Sequence, residues 1–175
     1  MASTAFLSLA KKAHLSDGTT YAYVVAPPSS PGQATFLLLH RYPSSSYDWR
    51  HQIIGLLKGG YGFIDPDLLG YGETDKPTDP HAYRLNTMCN HMVEILDIEN
   101  VSIALLVGRA LLSPLASRLP TYHRHRCHGL MTIAVSYLEP GIVWNMDAIS
   151  KLSKSLVGYE TYGYWKWHNT DEAAN

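Results

Sequence analysis

Two nearly continuous apolar runs, Ala34–His40 (Ala-Thr-Phe-Leu-Leu-Leu-His) and Val101–Val107, constrain the fold of this chain more than any other feature. A strand that is apolar on both sides has to be covered on both faces, which is the condition of a parallel sheet between helical layers. The surrounding pattern agrees. Residues 5–12 and 20–26 predict two strands joined by the turn signal Ser16-Asp17-Gly18, an antiparallel hairpin. Residues 61–65 and 128–136 predict two more strands. Helices are predicted over residues 44–57, 81–97 and 111–122. The first is capped from Ser44–Ser46 and carries Trp49, Ile53, Ile54 and Leu57 on one side. The order β-β-β-α-β-α-β-α-β gives an α/β fold, a mostly parallel sheet of about six strands. From Glu139 to Asn175 the sequence is helical or irregular and rich in Trp and Tyr, which divides the chain into residues 1–138 and 139–175. In such sheets ligands bind beyond the carboxyl ends of the strands, so the loops after residues 40, 66 and 107 are the ones to inspect.

Composition narrows the function classes. The 175 residues are 46% apolar and 17% charged, enough for one sizeable core. A net charge of −1 and no basic stripe argue against nucleic acid as a partner. No run approaches the roughly 18 apolar residues of a membrane span, and Lys11-Lys12 follow the N-terminal apolar stretch instead of preceding it, unlike a signal peptide. The expected location is the cytoplasm, where Cys89 and Cys127 would stay reduced. No cofactor or metal is expected. In Tyr122–His128 the histidines are interleaved with Arg124 and Arg126, which repel a cation, and with no carboxylate.

Three strand ends carry a resemblance. His40-Arg41-Tyr42-Pro43 is similar to a His-Gly-x-Pro loop. Asp67 to Pro77 (Asp-Leu-Leu-Gly-Tyr-Gly-Glu-Thr-Asp-Lys-Pro) is similar to an Asp-x-x-Gly-x-Gly-x-Ser/Thr-Asp-x-Pro loop. Val107-Gly108-Arg109-Ala110-Leu111-Leu112-Ser113 stands where Gly-His-Asp-Trp-Gly is common. These motifs resemble the α/β-hydrolase superfamily, and within it the epoxide hydrolases and their dehalogenase relatives. The resemblance covers most of residues 5 to 170, the first half of a family member. It implies a truncated hydrolase sheet over residues 1–138 and the start of a helical cap over residues 139–175.

The resemblance also implies roles. The family attacks the epoxide with an aspartate that forms an ester intermediate, and that position is Ala110, whose methyl group cannot attack. Ser113 lies one helical turn further on and reads as a first-turn helix serine. The oxyanion N–H groups would be those of Tyr42 and Leu111. Arg41 replaces the glycine beside Tyr42, and Arg109 replaces the histidine before the nucleophile. Either these two arginines meet and make the old pocket electropositive, or both reach solvent. Leu112 stands where the family has a small residue. The water-activating histidine and its acid partner belong to loops after two later strands, which these residues do not include. His40 resembles a loop histidine with a structural role, and His81 and His91 read as helix-surface residues. Tyr164 in Tyr162–His168 matches a cap tyrosine that holds the epoxide oxygen; the alternative is that these aromatics are left over from a cap interface.

Asp67 matches the family's loop aspartate, which accepts backbone hydrogen bonds. Asp65 sits where the strand should be apolar and is expected either to be exposed or to pair with an arginine. The strand at 128–136 would become an apolar edge, prone to self-association. The resulting expectation is a catalytically impaired epoxide-hydrolase-like scaffold. It would bind a small apolar molecule near Tyr42, Trp49 and Tyr164, or a second chain. The alternative is an active hydrolase of epoxides or esters using a partner chain or another nucleophile.

Overall fold

In the computed structural model, the described residues are 1–109, 113–134 and 145–168, with 137, 139, 141, 170 and 173. The chain divides into two compact units, Met1–Leu138 and Glu139–Asn175. The first is built on a six-stranded sheet. Its strands are β1 (Ala10–His14), β2 (Thr20–Ala26), β3 (Thr35–Leu39), β4 (Gly62–Pro66), β5 (Ala104–Arg109) and β6 (Cys127–Ile133), in the order β1-β2-β4-β3-β5-β6. β4, β3, β5 and β6 run parallel; β1 and β2 are antiparallel to each other, and β2 is antiparallel to β4. The expected class, a mostly parallel α/β-hydrolase sheet of about six strands, is the one found.

The alternation of each strand feeds two cores. Tyr21, Tyr23, Leu37, Leu39, Ile64 and Leu106 point to one face, where α3 (Leu85–Ile98) and α4 (Ser113–Tyr122) contribute Met88, Met92, Ile95, Leu115, Ala116 and Leu119. Val24, Ala26, Leu38, Phe63 and Val107 point to the other face. There they meet Trp49, Ile53 of α2 (Arg50–Lys58), and Ala2 of a short helix α1 (Ala2–Ala5). Ile54 and Leu57, expected on the inner side of α2, are 42% and 41% exposed, because the buried stripe runs through Trp49 and Ile53.

Strand ends shift for physical reasons. β1 begins at Ala10, opposite Val24 of β2, and not at residue 5, because residues 2–5 form α1 and Leu7–Leu9 a 3-10 turn. β5 begins at Ala104, not at residue 101. Val101 and Ser102 are held instead by the end of α3 (Val101 N–H to Leu96 carbonyl, 2.8 Å) and by the Arg126 guanidinium, 2.8 Å from each of their carbonyls. β6 ends at Ile133, and residues 135 and 136 of the expected strand lie outside the described residues.

The second unit holds α5 (Met146–Val157) and α6 (Gly163–His168). Asn145 caps α5, accepting the Ala148 N–H at 3.0 Å, and Gly158 ends it at φ +87. Among the described residues no helix is long and apolar enough to cross a membrane.

Candidate functional site

The sheet order points to one crevice. β3 and β5 are parallel neighbours, with Leu39 opposite Gly108. The helix after β3 (α2) covers one face, and the helix after β5 (α4) covers the other. That reversal makes the carboxyl ends of β3 and β5 the topological switch point, where α/β sheets open a crevice. His40, Arg41 and Tyr42 leave β3 there, and Arg109 ends β5.

His40 is fully buried and held at both ring nitrogens. Its Nε2 accepts the Leu68 N–H at 3.0 Å, which leaves the proton on Nδ1, 3.1 Å from the Arg41 carbonyl. Burial pulls its pKa below the usual histidine value, so the ring is neutral. With both nitrogens committed, it has no lone pair for general-base work. It welds the end of β3 to the loop after β4. Tyr71 from that loop stands edge-on to the imidazole at 5.0 Å, and its own hydroxyl is pushed up to about 12 by burial.

That loop, 67–77, folds back on β2. The Thr74 hydroxyl receives the Ala22 N–H (3.0 Å) and donates to the Asp67 carbonyl (2.6 Å). Asp75 accepts the Thr20 N–H at 2.7 Å. The Asp67 carboxyl accepts the Ser46 hydroxyl and the Glu73 N–H. Gly72 sits at φ +53, and a Cβ there would stand 2.0 Å from the Asp67 Oδ2. Ser46, expected as a helix cap, does not cap. Its hydroxyl joins Asp67 to the Ala2 N–H (2.9 Å) and so ties the N-terminal helix to the loop.

The two arginines meet through a residue the sequence reading did not single out. The Arg109 Nη1 lies 3.2 Å from the Asp48 Oδ2, and the Arg41 Nε lies 3.8 Å from the same oxygen. Neither expectation, bare positive charge or free solvation, describes this: one carboxylate oxygen serves both. Asp48 lies in the 3-10 turn Ser46–Trp49 that follows the His40–Pro43 loop.

Asp65 overturns both of its expected placements. It is fully buried, points to the face that holds Phe63, Val24 and Trp49, and neither carboxyl oxygen has a hydrogen bond among the described residues. Burial, then the nearby Asp67 and Asp48, raise its pKa well above the carboxylate range. Trp49, expected near the ligand, is a core residue 4% exposed. His91 is buried too, bridging Asp17 (2.9 Å) and the Tyr21 hydroxyl (3.2 Å) instead of lying on the helix surface. In the 122–128 segment Arg126 pairs with Asp97 at 2.7 Å, and His123 lies 2.9 Å from the Asn90 Oδ1.

Ala110 and Leu111 lie outside the described residues, so the oxyanion pair Tyr42/Leu111 is described only at Tyr42, which is half-buried and joined to Pro43 by a cis bond. Tyr164 belongs to α6 of the second unit, 41% exposed and edge-on to Trp165 and His168.

Comparison with known proteins agrees with the fold. The profile of the α/β hydrolase fold family matches residues 34–159. Epoxide hydrolase B of Mycobacterium tuberculosis is 33% identical over 123 residues, covering 70% of this chain and 34% of that protein. Epoxide hydrolase srdG of Neurospora crassa is 36% identical over 131 residues, covering 71% and 38%. A Vigna radiata epoxide hydrolase mutant superposes with a TM-score of 0.70 at 25% identity, over 83% of this chain and 45% of its own. The chain thus spans a little over a third of the length of these curated relatives.

Proposed function

Because the chain belongs to the α/β-hydrolase fold family and resembles its epoxide hydrolases, we propose that it is a catalytically impaired scaffold. On this reading it binds a small apolar molecule at the carboxyl ends of β3 and β5 without hydrolysing it. The observation that carries the reading is Ala110, directly after Arg109. The resemblance puts the attacking carboxylate there, and a methyl group has neither a lone pair nor a proton to give. His40 supports it, since both of its nitrogens are spent on backbone groups. The cytoplasm is the proposed location, consistent with two free thiols at Cys89 and Cys127.

The exposed strand β6 supports a second element of the reading, self-association. Met131 is 59% and Ile133 39% exposed, and no described strand pairs with the outer edge of β6.

A turnover assay with styrene oxide and an aryl ester tests the catalytic part. No turnover above that of a His40→Ala, Arg41→Ala double variant is expected. Saturable turnover by the unmodified chain, absent from the double variant, would replace this reading with an active hydrolase using another nucleophile or a partner chain's histidine.

A further inference from the structure

We infer that the crevice at the ends of β3 and β5 is a carboxylate-recognition site, in which Arg41 and Arg109 take the acid group of a small aromatic or apolar carboxylic acid. This rests on the scaffold reading above and goes further by giving its apolar ligand a charged head.

Guanidinium is a planar fork that matches a carboxylate through two parallel N–H···O bonds. Among the described residues neither arginine has such a partner. Asp48 meets each of them through a single oxygen, Oδ2, and through one nitrogen apiece, at 3.2 and 3.8 Å. The longer contact is beyond hydrogen-bond reach. The Arg41 Nε is buried and has no hydrogen bond among the described residues. That enclosed nitrogen faces Asp48, so an incoming acid meets the exposed part of the Arg41 guanidinium instead.

Among the described residues Asp48 is the acid that meets these guanidinium groups, and it meets both through one oxygen. Asp65 is buried, which raises its pKa well above the usual carboxylate value, and Asp67 is bonded to the Ser46 hydroxyl and the Glu73 N–H instead of to either arginine. Ala110 follows Arg109 and brings no charge. Two guanidinium groups that share one carboxylate oxygen leave N–H donors for a second carboxylate.

Place adds an independent argument. Both arginines sit at the topological switch point, each at the carboxyl end of a central strand, where ligands of such sheets bind. Their side chains are 42% and 40% exposed, so an incoming acid can reach them. The Tyr71 ring beside His40 offers an apolar surface for the body of the ligand.

Isothermal titration of the 175-residue chain with phenylacetate and with phenylacetamide, the same body without the charge, tests this. The acid should bind at least about tenfold more tightly than the amide, the scale of a hydrogen bond to a charged group. Arg109→Gln and Arg41→Gln should each remove most of that preference. Asp48→Asn, which removes the internal competitor, should tighten acid binding; a residue that merely positions the arginines would weaken it on replacement. Equal binding of acid and amide, no binding of the acid, an unchanged preference in both arginine variants, or weaker binding by Asp48→Asn overturns the inference. Thermal melts check folding, and if one arginine variant fails to fold, the other and Asp48→Asn decide. The two readings fail separately. Equal acid and amide affinities sink only the carboxylate site, whereas epoxide turnover sinks the scaffold reading and leaves the acid-to-amide ratio to be read from the same titration.

Discussion

His40 and Asp65 are both titratable and both fully buried, yet burial is resolved for one and not for the other. His40 exchanges its water for two backbone partners. Removing the ring orphans the Leu68 N–H and the Arg41 carbonyl, so His40→Ala should cost about 2–3 kcal/mol in urea unfolding. Asp65 gains no hydrogen-bond partner among the described residues, and burial raises its pKa well above the usual carboxylate value. Its pKa is raised in the folded state, so its favourable contribution is present below the unfolded carboxylate range and is lost as pH rises through the folded value. Asp65→Val should therefore stabilise the protein at neutral pH, by about 1–3 kcal/mol, with a gain that shrinks toward pH 4. A variant less stable than wild type at pH 7 would show that Asp65 has a partner. Sequence reading identified Asp65 as anomalous because an acid interrupts an apolar strand, but it offered exposure or pairing as the remedy. That neither holds depends on the apolar side chains of the cluster on its face, Ala2 and Trp49 among them, and no local pattern records them. Asp48 escaped for the same reason: its role exists only once β3 and β5 lie side by side.

At the scale of elements, the hairpin β1–β2 is pinned to α3 by its turn. Asp17 reaches His91 at 2.9 Å, and Glu94 receives the Ser16 N–H at 2.6 Å. The Thr19 N–H, helped by His91, holds the Asp17 carboxyl down at about 2. A lowered value stabilises the fold above the ordinary carboxylate range, and the benefit is lost as pH falls through it toward 2. Asp17→Asn should flatten that part of the acid-unfolding curve. The effect should stay below about 1 kcal/mol, since the side chain is 47% exposed. The loop 67–77 is the opposite case, an element whose glycine is dictated by contact. Gly72→Ala puts a methyl group against the Asp67 carboxyl at a positive φ, and should cost more than about 2 kcal/mol and free Tyr71 from His40. A Gly72→Ala protein as stable as wild type would contradict this geometry. Both elements were visible beforehand, the hairpin from Ser16-Asp17-Gly18 and the loop from its spaced glycines. Their ends were not, because β1 starts only after the N-terminal turns at Ala2–Ala5 and Leu7–Leu9, and β5 only after the two carbonyls that Arg126 holds. The second of these limits is set by a partner far away in sequence.

For the whole molecule, the two-faced apolar strands announced a parallel sheet, and the three loop motifs announced the family. The strand order and the pairing of Arg41 with Arg109 through Asp48 belong to tertiary structure and required it. The exposed edge of β6 sets the expected solution behaviour. Light scattering should show mass rising with concentration, and Met131→Lys, a charge on that strand, should suppress the rise; a concentration-independent monomer would remove self-association from the account. The claim on which the functional account turns is that the strand β5 delivers no nucleophile, and the intact mass of the whole chain tests it most directly. After incubation with styrene oxide, the unmodified protein should keep its mass, while Ala110→Asp gains one covalently held epoxide as an ester. A stoichiometric adduct on the unmodified chain would contradict the account.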